Sequence, residues 1–382
     1  MDTILIFTAT VSGHNMEYLH HIYDVAIHNT NQRYVFVVPE EFEQVKHNFA
    51  WEFANHIFFD YFTKEESASW QNKGMLASSY YLCQLVRNRI KKHKADKLFV
   101  VTLMSHLPFA PFMYGWHVKM SGIIYKIYLH EWHRSSFLSK AMDVLKYMLM
   151  RIFPLFDRVY ILNDATSATR LNRLYRTTKF SYLPDPYVPL TVSESTLNLR
   201  EELGVKANQK LFIHFGALAE RKGTMRIIDS LQFLSQEERE RYVFVFAGRV
   251  FPDIKEAFYA GVANYQSKVH IHVKDEFCSF EYLAALCEAC DAILMPYLET
   301  AQSSGVIGYA AQFGKPVIAP DEGLIGQLVR TYQLGLTCNC TAESLSRAYQ
   351  YIVENQYDVP NKYCSDHAIS AYQAVINVDI LK

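Results

Sequence analysis

The residues best suited to chemistry in this sequence are two hydroxyl residues and a glycine, Ser303, Ser304 and Gly305, at the start of a predicted helix. A short apolar run at 291–296 predicts a buried parallel strand before them, and a polar loop joins the two. The first turn of a helix leaves backbone N–H groups unpaired and carries partial positive charge. Because Gly305 has no side chain, a phosphate could lie against those N–H groups. An ordinary serine N-cap is the alternative, and this stretch alone favours the cap.

Alternating apolar and amphipathic segments surround this stretch and would position it. Short apolar runs predict strands at 3–9, 33–39, 57–61, 97–104, 122–129, 158–162, 179–183, 211–215, 242–247, 269–273, 291–295 and 317–319. Amphipathic segments predict helices at 16–28, 75–94, 136–153, 164–175, 224–234, 252–266, 279–289, 303–313, 323–331, 341–354 and 366–382. This alternation predicts an α/β fold of doubly wound parallel sheets, each covered by helices on both faces.

The length of 382 residues exceeds that of one compact core, so two domains are expected. The segment 184–198, rich in proline and then in small polar residues, is the most linker-like part of the chain. We therefore predict one domain at 1–190, a second at 191–365, and a C-terminal helix at 366–382.

Composition excludes several classes of protein. A net charge of −1 argues against a nucleic-acid partner, because duplex binding needs a basic surface. The N-terminal segment has no basic region and reads as a strand, not a signal peptide. No apolar run approaches the roughly 18 residues of a spanning helix. The seven scattered cysteines are read as reduced and mostly buried thiols, so we predict a cytoplasmic protein.

Histidines follow two predicted strands of the first domain. Gly13 and His14 form the turn after strand 3–9. For Gly13, a role in the turn conformation alone and a contact with a ligand are equal alternatives. For His14 a solvated loop position is favoured, and a functional contact is the alternative. His130 follows strand 122–129, at the edge where open parallel sheets bind ligands, yet position alone favours a structural, hydrogen-bonded role.

The amphipathic segment 136–153 carries three basic residues among its apolar ones. Such a segment suits either a peripheral membrane surface or a helix packed on the core. We predict that its apolar stripe faces the core, with contact at the inner face of a membrane as the alternative.

Several short motifs, taken in order, resemble the C-terminal half of a GT-B glycosyltransferase and are most similar to the large retaining family GT4 (glycosyl transferases group 1). They are Gly216 with Arg221-Lys222-Gly223, the segment 291–297, Ser303-Ser304-Gly305, and the segment 314–318. The first half matches more loosely, through Gly13, the strand leading to His130, and 183–186. The resemblance implies two Rossmann-like domains facing across a cleft, with the acceptor in the first, the nucleotide-sugar in the second, and the last helix crossing back to the first.

The resemblance also implies a role for each matching residue. Lys222 corresponds to the lysine that grips the donor pyrophosphate and stabilises the leaving group, and His130 to the histidine that faces the transferred sugar. On this basis the predicted catalytic residues are His130 and Lys222, and the donor-binding residues are Gly13, Gly216, Arg221, Ser303, Ser304 and Gly305. For Arg221, an exposed position in a charged loop is the favoured alternative. His14 is the predicted acceptor-binding residue because of its place beside the carboxyl end of the first strand.

Three positions depart from the family pattern. Ala217 stands where an arginine is common, and Ala301 and Tyr309 stand where two glutamates are common, with Glu299 near but out of register. The second glutamate normally holds the donor ribose, so nucleotide contacts differ here. The sequence has no Asp-x-Asp motif, and Lys222 with helix N–H groups can supply positive charge, so we expect neither a metal nor another cofactor.

Together these features predict a nucleotide-sugar glycosyltransferase of polysaccharide biosynthesis, retaining and metal-independent, acting on a glycan or lipid-linked acceptor. Two alternatives stay open. One is a GT-B-type sugar-nucleotide epimerase, and the other is an inactive partner subunit of another transferase.

Overall fold

The computed structural model of the chain describes residues 2–133, 135–192 and 198–379. It divides into two compact units, one made of Met1–Pro186 with Ile369–Lys382 and the other of Tyr187–Ala368. The sequence predicts a domain boundary after residue 190, and the contacts within each unit place the division after Pro186. Residues 193–197 of the predicted linker, and 380–382 of the predicted C-terminal helix, lie outside the described residues.

The first unit is built on one parallel sheet. Its strands are β1 (Thr3–Phe7), β2 (Arg33–Pro39), β3 (Ile57–Phe62), β4 (Lys97–Val100), β5 (Lys119–Ile124), β6 (Phe156–Leu162) and β7 (Phe180–Leu183). They pair in the order β3-β2-β1-β4-β5-β6-β7, and every pair is parallel. Leu5 and Phe7 of β1 pack in one core layer, and Ile4 and Ile6 pack in the other. A strand covered on both faces must be apolar at consecutive positions, which explains the continuous apolar run.

Helices cover both faces of this sheet. They are α1 (His14–Ile27), α2 (Phe42–Val45), α3 (Lys64–Ala68), α4 (Met75–His93), α5 (Ala110–Met113), α6 (Phe137–Ile152) and α7 (Ala165–Tyr175), with short 3₁₀ helices at Lys46–Asn48, Leu103–His106 and Tyr128–His130. Within the described ranges, none of the helices combines the length and apolar character that spanning a bilayer requires.

The second unit repeats the same design on a smaller sheet. Its strands are β8 (Lys210–Phe215), β9 (Tyr242–Ala247), β10 (His270–Lys274), β11 (Ala292–Leu294), β12 (Val317–Pro320) and β13 (Gly335–Cys338), paired in parallel in the order β10-β9-β8-β11-β12-β13. Its helices are α8 (Leu199–Glu202), α9 (Thr224–Ser230), α10 (Gln236–Arg241), α11 (Lys255–Tyr265), α12 (Phe280–Ala289), α13 (Val306–Gln312), α14 (Gly323–Thr331), α15 (Ala342–Glu354) and α16 (Lys362–Asp366), with 3₁₀ helices at Glu220–Lys222 and Leu231–Phe233. The last helix, α17 (Ile369–Asp379), belongs to the first unit and packs on α1.

The predicted fold class is confirmed, and several local predictions need correction. The predicted strand 97–104 is β4, which ends at Val100, and the predicted helix 366–382 begins only at Ile369. The predicted strand 122–129 is β5, which ends at Ile124. The apolar run in the sequence extends further because Ile127 and Tyr128 are buried in the core, although they are not in a strand. The predicted helix 303–313 begins only at Val306. Strand β13 is not predicted, because it lies at the sheet edge with half-buried residues and so has no continuous apolar run.

Helix α6 only partly follows the prediction that its apolar side faces the core. Tyr147, Leu149 and Met150 do pack in the core. Phe137 and Leu138, in the first turn, are 83% and 79% exposed. Of the seven cysteines, six are buried, as predicted, and Cys338 is half-buried.

Candidate active site

Lys222 lies in the loop that joins β8 to α9. It ends the 3₁₀ helix Glu220–Lys222, and Gly223 follows in the left-handed region at φ 69°. A Cβ at Gly223 would lie 1.9 Å from the carbonyl oxygen of Pro296. Only glycine therefore lets this loop pack directly against the segment that follows β11.

Backbone hydrogen bonds hold the same two segments together. The carbonyl oxygen of Arg221 accepts from the N–H of Leu298 at 3.0 Å and from that of Glu299 at 3.3 Å. The side chain of Arg221 itself is exposed. The residues on either side of Lys222, Arg221 and Gly223, thus both contact the backbone of the segment after β11. These contacts fix the position of Lys222.

The Lys222 ammonium lies over the ring of Tyr297, with Nζ 3.7 Å from the ring centroid. A cation in this position is attracted by the negative face of the ring. The hydroxyl of Tyr297 is in turn 3.3 Å from the Oγ of Ser304, and Tyr297 and Ser304 are both buried. Among the described residues, no carboxylate pairs with Lys222, so its charge is available to an anionic ligand. The structure therefore brings Lys222 and Ser304 together through Tyr297.

The N-cap position of α13 is not occupied by a serine. Gly305 is the N-cap, no side chain accepts there, and the first N–H to bond within the turn is that of Ile307, to the Ser304 carbonyl oxygen at 3.1 Å. The serine-cap reading, which the sequence favours, is therefore wrong. The N–H groups of Gly305 and Val306 precede that first bonded N–H. Helix α13 has seven residues, so its dipole is modest and the local N–H groups matter most.

A buried histidine supports the Lys222 loop from within the sheet. His214 of β8 lies where its neighbours are apolar, with Nδ1 2.9 Å from the Leu294 carbonyl oxygen and Nε2 3.0 Å from the Oγ1 of Thr224. Thr224 also accepts from the N–H of Ala219 at 3.1 Å. Burial lowers the pKa of His214 to about 4, and the nearby Lys222 charge acts in the same direction. A neutral imidazole therefore links the strand to both ends of the loop.

Gly216 directly follows β8 and has open space around it. Its φ is 98°, and a Cβ built there would meet no atom within 4 Å. Its N–H donates to the carbonyl oxygen of Ala247 at 2.9 Å. The glycine is needed for its backbone conformation, and a ligand could approach it freely.

The three positions that depart from the family pattern lie around this region. Ala217 is half-buried in the loop, and Ala301 is fully buried. Tyr309 on α13 faces Phe215, with ring centroids 6.3 Å apart. An aromatic contact therefore occupies the position at which a glutamate is common.

In the first unit, Gly13 and His14 begin α1. Gly13 is the N-cap at φ 57°, and a Cβ there would meet no atom within 4 Å. The Nδ1 of His14 is 2.9 Å from a carboxylate oxygen of Glu17, and the His14 side chain is exposed. The turn is therefore open at its surface, as the sequence predicts for the residues of a turn.

His130 is held by a buried carboxylate. Its Nε2 is 2.6 Å from the Oδ2 of Asp164, and its side chain is 13% exposed. Asp164 is the N-cap of α7 and accepts from the N–H of Ser167 at 2.8 Å. Burial acts to raise the pKa of Asp164, but these hydrogen bonds outweigh it and hold the pKa below its usual value. The carboxylate stays charged and fixes the orientation of the His130 ring.

Sequence reasoning missed three residues of these networks: Tyr297, His214 and Asp164. Each had a signal. Tyr297 directly follows the proline that ends a predicted strand, His214 interrupts an apolar strand, and Asp164 is the first residue of a predicted helix, of a type that commonly forms an N-cap. None of these signals names a partner, because the partners are distant in the sequence.

One family model matches most of the second unit. Residues 195–371 match the sequence model of the family described as Glycosyl transferases group 1. This confirms the resemblance drawn from the motifs of that half. No curated protein matches the sequence closely enough to be counted as a relative.

Solved structures share the fold over the whole chain. The structure of WaaG, a glycosyltransferase involved in lipopolysaccharide biosynthesis, is 15% identical and superposes with a TM-score of 0.65, covering 100% of both chains. HepE of Anabaena, in complex with UDP and glucose, is 18% identical with a TM-score of 0.63, covering 99% of this chain and 95% of that one. A trehalose-phosphate synthase (UDP-forming) from Burkholderia vietnamiensis is 10% identical with a TM-score of 0.71, covering 99% of each chain. These likenesses establish the GT-B fold.

Proposed function

We propose that this protein transfers a sugar from a nucleotide-sugar donor to a glycan or lipid-linked acceptor. The premises are that residues 195–371 match the family model described as Glycosyl transferases group 1 and that the chain has the GT-B fold. The observation that carries the proposal is the Lys222 ammonium, which is unpaired by any described carboxylate and lies 3.7 Å from the Tyr297 ring centroid. Nearby serine hydroxyls and the N–H groups of Gly305 and Val306 complete a set of donors for a diphosphate.

The proposed reaction breaks the bond between the anomeric carbon and the diphosphate oxygen. Negative charge grows on that oxygen in the transition state, and the Lys222 ammonium stabilises it. The acceptor oxygen forms the new bond on the same face of the sugar, and its proton passes to the leaving diphosphate, so configuration is retained. Lys222 and the N–H groups supply the positive charge, and we propose that transfer needs no metal.

We assign acceptor binding to the first unit. A cavity of about 350 Å³ there lies beyond β4 and β5 and is lined by polar groups that include Thr102, Lys126 and Asp143. Such groups suit the hydroxyls of a sugar. We further propose that His14 contacts the acceptor and that His130, held by Asp164, faces the transferred sugar. Gly13 would allow close approach at the same edge of the sheet.

We place a contact with the inner face of the cytoplasmic membrane on the same unit. Phe137 and Leu138 of α6 are largely exposed, as are Phe112 and Trp116. Helices that carry exposed aromatic and aliphatic side chains together with basic residues, as α6 carries Lys140 and Arg151, bind the interface of anionic membranes. Sedimentation with vesicles of anionic and of neutral lipids tests this, and equal failure to bind both would contradict it.

The activity is tested with a panel of UDP-, GDP- and ADP-sugars, with hydrolysis as the readout because no acceptor needs to be known. UDP-sugars are the first arm, since the HepE structure holds UDP and glucose. Lys222→Met should lower kcat by roughly 100-fold or more, the usual cost of removing one transition-state donor. Lys268→Met, the matched control at an exposed lysine of the same unit outside the site, should stay near the wild-type rate.

The outcomes separate the alternatives. Turnover of no nucleotide-sugar, together with no binding of any nucleoside diphosphate, refutes the proposal. Conversion of the donor to an isomer without an acceptor indicates an epimerase. Binding of a nucleoside diphosphate without turnover indicates an inactive partner subunit.

A further inference from the structure

Helix α1 carries a second group of ligand-type side chains, separate from its N-terminal turn. His20, His21 and Asp24 each offer a ligand atom, and the three atoms lie within 4.8 Å of one another. Two imidazoles and one carboxylate are a donor set that Zn²⁺ and similar divalent transition ions bind well. The cluster takes no part in the transfer proposed above.

The ring of His20 is oriented as a metal ligand would be. Its Nε2 is 2.9 Å from the carbonyl oxygen of Ala50, which can only accept, so Nε2 carries a proton. In the neutral ring Nδ1 then keeps its lone pair, and it lies 3.4 Å from the Oδ2 of Asp24. That separation is longer than an ordinary N–H···O hydrogen bond. It matches the edge of about 3.4 Å between two ligands of a tetrahedral Zn²⁺ at bond lengths near 2.1 Å.

The second histidine supplies an independent observation. His21 is 4% exposed, and its Nδ1 has no hydrogen-bond partner among the described residues. A buried ring nitrogen without a partner is costly, and a bound cation would satisfy it. The ring lies against Tyr372 of α17, with centroids 6.0 Å apart, which limits its rotation.

We propose that His20, His21 and Asp24 form a three-ligand site for a divalent transition ion of the Zn²⁺ type, with the fourth position open to water. Asp24 is 37% exposed, so ions can reach the site from solvent. Phe49 and Trp51 pack on the His20 ring, with centroids 4.8 Å and 5.1 Å away, and the Ala50 carbonyl lies between them in the chain. This packing and the carbonyl hydrogen bond are the outer supports that orient a ligating histidine.

Zinc binding is measured on the full chain by competition with a chromophoric chelator, with no donor or acceptor sugar present. The background carries Cys338→Ser and Cys340→Ser, since those two sulfurs lie 3.7 Å apart and are a competing site for zinc. We expect one equivalent of Zn²⁺ to bind. Asp24→Asn and His20→Gln should each weaken binding at least tenfold, because loss of even an outer support costs about 10- to 100-fold. His47→Gln, which removes an exposed histidine outside the cluster, should leave binding unchanged.

Substitution by Co²⁺ gives a second readout. The expected result is visible absorption of a four-coordinate ion with nitrogen and oxygen ligands, present in His47→Gln and lost in Asp24→Asn. Asp24 and His20 are partly exposed, so these variants should fold, and tryptophan fluorescence checks that they do. Absence of stoichiometric binding, binding that Asp24→Asn and His20→Gln leave intact, or binding that disappears with the two cysteines would each overturn the proposal.

Discussion

Gly223→Ala should destabilise the second unit far more than a matched substitution at another glycine of the same conformation. Gly223 and Gly314 both lie in the left-handed region, at φ 69° and 62°. A Cβ at Gly223 would lie 1.9 Å from the Pro296 carbonyl oxygen, whereas a Cβ at Gly314 would meet no atom within 4 Å. The pair therefore separates steric conflict from backbone strain.

The two contributions have different magnitudes. A non-glycine residue in the left-handed region costs about 1–2 kcal/mol, and this applies at both sites. Forcing a methyl group into a filled space adds about 1–3 kcal/mol at Gly223 alone. We therefore expect Gly314→Ala to lower the free energy of unfolding by about 1–2 kcal/mol and Gly223→Ala by about 2–5 kcal/mol.

The assay must distinguish the two units. All four tryptophans (Trp51, Trp70, Trp116 and Trp132) belong to the first unit, so their fluorescence in urea serves as the internal control. Circular dichroism and hydrogen exchange of peptides from the second unit report the effect itself. Equal losses for Gly223→Ala and Gly314→Ala would refute the reasoning, because the close approach of Pro296 would then carry no energy.

Two predictions concern buried ionisable groups. The pKa of His214 is lowered to about 4 in the folded chain from about 6.5, so its contribution to stability is complete above pH 6.5 and is lost as the pH falls toward 4. His214→Gln should therefore remove about 2–3 kcal/mol of the change in the free energy of unfolding of the second unit between pH 7 and 4.5. Circular dichroism in urea measures this, and an unchanged pH dependence would contradict it. The pKa of Asp164 is also lowered, so the stability that this carboxylate contributes is present above its unfolded pKa and is lost as the pH falls through its folded pKa. Asp164→Asn should lower the free energy of unfolding of the first unit by about 1–3 kcal/mol at pH 7, measured by tryptophan fluorescence in urea. No change would show that the bond to His130 contributes little.

Much of the fold could be predicted from the sequence, because burial on both faces of a parallel sheet imposes a pattern that the residues themselves display. The apolar runs at β1, β2 and β9 match their strands closely, and the motifs around Lys222 led to the family that residues 195–371 match. The prediction failed where buried residues are not in a strand or where a strand is not buried. Ile127 and Tyr128 are core residues outside any strand, and β13 is a strand without a run of buried residues.

What the sequence determined is therefore the order of the elements, the fold class and the glycines that permit tight turns. What only the tertiary structure decided is which side chains meet. Lys222 lies on Tyr297, 75 residues further along the chain, because the loop after β8 packs against the segment after the neighbouring strand β11. His130 meets Asp164 because β5 and β6 are neighbours in the sheet. Local pattern encodes burial and backbone conformation, whereas contacts between distant residues depend on how the strands are ordered.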